Sequence, residues 1–189
     1  LTLNLSDGTV GTANYTPSGS TLTGLMFNYT VLATHNSLDL DYTATDSLVL
    51  NSGTIKDTAG NNAILTLATP GTSGSLSHDN NITIDTIKPI LSAPSTISTP
   101  SNNTTQTFTF TSDEAGTIIS TLGTPSPTTA TIGINTITFS ALTEGTYSGK
   151  TVQVEDAAGN ISDVLSIPTF KIDTIKPILS APSTISTPS

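Results

Sequence analysis

Eighteen residues starting at Ile84, Ile-Asp-Thr-Ile-Lys-Pro-Ile-Leu-Ser-Ala-Pro-Ser-Thr-Ile-Ser-Thr-Pro-Ser, recur letter for letter from Ile172 to Ser189, 88 residues later. Identity over that length is not chance, and a period of this size is that of one small β-domain, so the chain reads as a slice of a tandem array. The 189 residues have room for about two such domains. Spacing and display, more than chemistry, are the expected business of such a chain.

Short alternating apolar runs are separated by Gly, Asn, Ser and Pro clusters throughout. Before the first repeat copy, Leu1, Leu3 and Leu5 alternate, as do Leu25, Phe27, Tyr29 and Val31, then Leu48 and Leu50, then Ala63, Leu65 and Leu67, then Ile82 and Ile84. After it, strands are expected over 90–97, 105–112, 116–122, 134–142, 147–156 and 161–172, with an irregular crossover around Pro125 and Pro127. Period two with β-branched residues and no helical period predicts an all-β chain of antiparallel sandwiches. The expected domains are 1–85, 86–173 and, at 174–189, the first strand of a following repeat.

Two hairpins share one turn, Asp57-Thr-Ala-Gly-Asn61 and Asp156-Ala-Ala-Gly-Asn160. Glycine supplies a left-handed residue there, while Asp and Asn bond the local backbone. These turns are 99 residues apart against 88 for the linkers, so the first domain carries 11 extra residues, matched by the turn-rich segment 70–80. Asp156 follows Asp85 by 71 residues, and counting back as far from Asp57 passes the start of the chain. The first domain is therefore expected to lack its first strand.

Fourteen acids face five lysines, for a net charge of −9. That balance argues against nucleic acid and anionic membrane as partners, since phosphate binding needs clustered cations. The absence of cysteine excludes disulfides, zinc thiolates and a thiol nucleophile. His35 and His78 stand in turn-like sequence, no Ser/His/Asp set repeats between the domains, and aromatics are only 5% of residues, too few for a sugar-lined cleft. No catalytic residue and no enzyme activity are expected.

The Ile-Asp-Thr-x-x-Pro linkers, Ser112-Asp-Glu-Ala-Gly-Thr117, and Gly145-Thr-Tyr147 followed by the Asp-x-Ala-Gly-Asn turn resemble the bacterial immunoglobulin-like repeats of giant surface adhesins, of the biofilm-associated and type I-secreted kind. Asp39-Leu-Asp-Tyr42 and Leu50 to Asp57 fit a longer sister repeat. Tyr147 after a Gly turn, before Val152 and Val154, resembles the tyrosine corner of such sandwiches, without the cysteine that accompanies it in antibody domains. The resemblance implies tandem immunoglobulin-like antiparallel β-sandwiches in a non-catalytic stalk of an extracellular, cell-surface protein. Its partners are then neighbouring repeats of the same chain. A self-assembling filament or surface-layer subunit, joined to other copies by strand donation, is the alternative.

In that fold the loop after the second strand, the loop before the last strand and the incoming linker lie at one pole. Asp85, Asp113, Glu114, Asp156 and Asn160 would meet there, and carboxylates crowded without lysines favour a cation. Oxygen-only ligands suit Ca2+, and the resemblance implies calcium ions that stiffen the linkers. Asp57 and Asn61 would be the equivalent pair of the first domain, Asp173 would serve a following repeat, and Asp39 with Asp41 would share one strand face, which is read first as a solvated face and second as a further metal site. The competing reading makes Asp156 and Asn160 caps of their own hairpin and leaves Asp85 to a tight linker.

Overall fold

The computed structural model describes residues 1–180 other than Asp7, Leu22, Thr23 and Pro94. It is nearly all β, with several antiparallel sheets, and divides into two compact units, Leu1–Ile87 and Lys88–Ser189. The break falls two residues after the expected one at 85.

The first unit contains β1 (Thr2–Asn4), β2 (Val10–Thr12), β3 (Asn14–Thr16), β4 (Met26–Asn28) and β5 (Asp41–Tyr42). One sheet has the order β2-β1-β5, and β3 and β4 form a separate pair. Leu3, Leu5, Ala13, Leu40 and Tyr42 form its buried core. The strands expected at 48–50 and 63–67 do not form ladders. Isolated bonds hold the second of these runs instead, Ala63 N–H to Ile55 O (2.9 Å) and Leu67 N–H to Thr45 O (2.8 Å). Alternation gives a strand only where a neighbour can take up every second backbone group, and Ile64 here is 90% exposed.

The extra segment holds the one helical turn among the described residues, α1 (Leu76–Asp79). Four residues are too few to leave a 3.6-residue period in the sequence. Ser75 caps it, its buried Oγ accepting from His78 N–H (3.3 Å) and Gly71 N–H (3.1 Å).

The second unit is larger: β6 (Leu91–Ser92), β7 (Gln106–Ser112), β8 (Gly116–Ser120), β9 (Thr129–Ala130), β10 (Gly133–Phe139), β11 (Gly145–Tyr147), β12 (Thr151–Glu155), β13 (Leu165–Ser166) and β14 (Phe170–Ile172). One sheet has the order β10-β7-β6, another β13-β12-β8-β9, and β11 pairs with β14. Phe108, Phe110, Ile137 and Phe139 of the first sheet share a single core with Ile118, Val152 and Val154 of the second. Every second residue of β7 and β12 points into it, as the period of two requires.

Two expected strands are each broken into a pair. The stretch 147–156 divides at Gly149, whose φ of 63° only glycine adopts cheaply, and the chain changes partner there from β14 to β8. The stretch 161–172 divides at Pro168, which has no N–H for a ladder. Of the strand expected at 174–189, residues 174–180 carry no regular structure, and 181–189 lie outside the described residues.

Gly116 opens β8 against the backbone of β12, where a Cβ would stand 2.2 Å from Glu155 O and 2.7 Å from Val154 Cγ1. Backbone cannot give way as a side chain can. Gly116→Ala should therefore cost the second unit about 1–3 kcal/mol, read as a lowered denaturant midpoint; an unchanged midpoint would mean that β8 and β12 are not packed this closely.

Candidate functional site

The two Asp-x-Ala-Gly-Asn turns have one geometry. In the first unit, Asp57 Oδ1 accepts from Ala59 N–H (2.9 Å) and Asn61 N–H (2.8 Å), and Oδ2 accepts from Asn61 Nδ2 (2.8 Å). In the second, Asp156 Oδ1 accepts from Ala158 N–H (2.8 Å) and Asn160 N–H (2.9 Å), and Oδ2 from Asn160 Nδ2 (2.8 Å). Gly60 and Gly159 both sit at φ 90°. The Asn61 amide and three backbone N–H groups hold the Asp57 carboxyl below the usual range. Burial works to raise Asp156, but the amide of Asn160 and its backbone neighbours outweigh it, and its pKa too is lowered. Both aspartates therefore build turns, whatever else they bind.

Asp113 and Glu114 follow β7 directly. Asp113 Oδ1 accepts from Ile90 N–H (2.7 Å), which fastens the start of the unit to the end of β7. Ser112 Oγ donates to Glu114 O (2.6 Å) and so shapes the bend that carries the Glu114 side chain. Glu114 and Asp156 offer carboxylate oxygens within 4.8 Å of each other. Asn160 faces Asp156 and lies on the same loop. A hard, oxygen-seeking cation fits such a donor pair.

Asp85 stands at the end of the first unit, three residues before Lys88, and its Oδ1 accepts from Ile87 N–H (3.0 Å). Asp173 repeats that turn with Ile175 N–H (3.3 Å) and pairs its Oδ2 with Lys171 Nζ (2.7 Å). That hydrogen-bonded ammonium lowers the Asp173 pKa, and the carboxylate raises that of Lys171.

Asp39 and Asp41 do not behave as a pair. Asp39 is exposed, whereas Asp41 is 8% exposed and turned into the unit. Asp41 Oδ1 accepts from Tyr42 N–H (2.8 Å) and Leu76 N–H (3.2 Å), and Oδ2 from Gly71 N–H (3.0 Å) and Ser77 Oγ (2.6 Å). Burial alone would raise its pKa, but the Ser77 hydroxyl foremost, then the Gly71 and Tyr42 N–H groups and the Ser75 hydroxyl, bring it below the usual value. Asp41 is the anchor of the inserted segment 70–80.

Sequence reasoning missed several polar contacts. Lys88 Nζ meets Asp163 Oδ1 at 2.6 Å, and Pro89 beside it is fully buried. Thr86 N–H donates to Asn36 Oδ1 (2.8 Å), and Thr174 N–H to Glu144 Oε2 (2.6 Å). Each pair is more than two dozen residues apart in sequence, and no local pattern announces it. The histidines keep to loops: His35 Nδ1 meets Tyr29 Oη at 2.5 Å, and His78 Nδ1 meets Asp79 at 2.8 Å. Tyr147 Oη donates to Thr143 O (3.0 Å) and accepts from Thr143 N–H (2.9 Å), with its ring stacked on Phe170 at 5.0 Å.

No protein-family model matches the chain, and neither a curated protein nor a solved structure matches it.

Because the folded Asp41 pKa is depressed, the stability it contributes is present above the unfolded value of about 3.9 and is lost as pH falls through the folded value. Asp41→Asn should remove about 1–3 kcal/mol from the first unit at pH 7 and flatten its acid limb. Hydrogen exchange at Gly71 and Leu76 reports the effect locally, and unchanged protection there would show that Asp41 does not anchor the segment.

Proposed function

We propose that the chain is a non-catalytic stalk segment of an extracellular bacterial adhesin, built from tandem immunoglobulin-like sandwiches. The observation that carries this reading is the linker, whose residues are taken up one by one by the units on either side. Thr86 is bonded within the first unit through Asn36 and Ala33 O. Lys88 and Ile90 are seated in the second, through Asp163 and Asp113, and Pro89 between them is fully buried. Between them stands Ile87, its N–H held by Asp85. A connection with so little free chain resists bending more than a flexible linker does.

The sheet orders of the second unit support the immunoglobulin-like reading. Strands β6, β7 and β10 correspond to A, B and E of that fold, and β8, β12 and β13 to C, F and G. Tyr147 bonded back to Thr143 has the form of a tyrosine corner. The letter-for-letter repeat of the linker is the sequence of an array whose joints are all alike.

Calcium at the joint belongs to the same proposal. Glu114 and Asp156 of the second unit are the proposed ligands, with the side chain of Asn160 beside them. The ion would supply charge neutralisation and a crosslink, with no chemical step.

A thermal melt of residues 1–189 in calcium, magnesium and chelator tests the ion. Asp156→Ala would break the turn whether or not calcium binds, so the informative variant is Glu114→Gln. Calcium at a hundred times its dissociation constant should add about 2.7 kcal/mol to wild-type stability, and Glu114→Gln should abolish the gain. Equal melting in calcium and in chelator would remove calcium from the account.

A further inference from the structure

Both units end in the same way, on residues of different type. In the first, Ser37 pairs with Ile84, and the residue before Ser37, Asn36, takes the Thr86 N–H on its Oδ1 at 2.8 Å. In the second, Gly145 pairs with Ile172, and the residue before Gly145, Glu144, takes the Thr174 N–H on its Oε2 at 2.6 Å. The threonine hydroxyl adds a second bond each time: Thr86 Oγ1 donates to Ala33 O (2.9 Å), and Thr174 Oγ1 to Glu144 Oε2 (2.9 Å). The aspartate one residue earlier turns the following N–H back on itself, Ile87 to Asp85 (3.0 Å) and Ile175 to Asp173 (3.3 Å).

We propose that Asn36 and Glu144 are positioning residues that latch the threonine of the Ile-Asp-Thr-Ile-Lys-Pro linker to the unit it leaves, fixing the linker's exit without a metal ion. Two units of different length, with different side chains at the position, arrive at one arrangement. What they share is an oxygen acceptor on the residue before the one that pairs with the isoleucine two positions ahead of the threonine. Amide and carboxylate oxygens serve equally, since the donor is a backbone N–H. Threonine suits the other side because its hydroxyl lies close enough to its own N–H for both to bond the same loop. The aspartate then bends the next peptide, so that the direction of exit is set by hydrogen bonds at three consecutive residues.

This inference rests on the stalk reading for its purpose, and the two are separable by experiment. In residues 1–189 with chelator present, amide exchange at Thr86 and Thr174 reads the latches. The spread of distances between spin labels on the two units reads the stiffness of the joint. Asn36→Ala should speed exchange at Thr86 about tenfold and widen the distance distribution, whereas Asn36→Asp, which keeps an acceptor oxygen, should preserve both. Glu144→Ala should do the same to Thr174 alone, and it keeps the test open if Asn36→Ala unfolds the first unit. Unchanged exchange at the affected threonine in folded Asn36→Ala and Glu144→Ala would overturn the latch. A wide distribution in wild type with protected Thr86 would instead count against the stalk and leave the latch standing.

Discussion

The joint between the units depends on which residues of the linker are free, and nearly none are. Thr86 spends its N–H and its hydroxyl on the unit behind it, and Pro89 is fully buried. Proline fixes φ, and a buried proline fixes the chain on either side of it as well. The exposed Lys88–Asp163 pair adds little energy of its own. Its contribution is to hold the residue next to Pro89 in register with the unit that Asp113 has already fastened at Ile90. On the stalk proposal, stiffness would come from many small commitments along a short stretch of chain, each of which would be weak in isolation.

Carboxylates do most of the local building. Asp57 and Asp156 each gather two backbone N–H groups and an asparagine amide, Asp41 gathers four donors, and Asp113, Asp85 and Asp173 each close a bond to the main chain. An acidic chain with few cations can keep its charges apart in this way, because each is answered by backbone dipoles. Calcium would act on top of this framework rather than in place of it. That distinction explains why the turn aspartates are poor probes of the ion and why Glu114 is the better one.

Much of the second unit was legible in the sequence, and the reason is packing. Its strands are long enough to alternate, and Phe108, Phe110, Val152 and Val154 fill one core at the spacing their period predicts. The turn at Asp156 was legible because Gly and Asn leave no other good reading. The first unit was harder. Its alternating runs at 48–50 and 63–67 meet no continuous neighbour, so the pattern was present and the ladder was not. Asp39 and Asp41 do not share a face, since the strand begins only at Asp41, where the inserted segment folds back to use the carboxylate. Asn36 and Glu144 carried no signal at all. They do their work through a side-chain oxygen delivered to a distant N–H, and two different residue types can deliver it.

The central claim is that the two units form one stiff element of a stalk, and nitrogen-15 relaxation of 1–189 tests it most directly. The account predicts that amides of both units report a single body tumbling as a whole, with a common set of rotational correlation times and no faster motion at Thr86 to Ile90. Separate correlation times for the two units, each appropriate to a small domain tumbling alone, would contradict it.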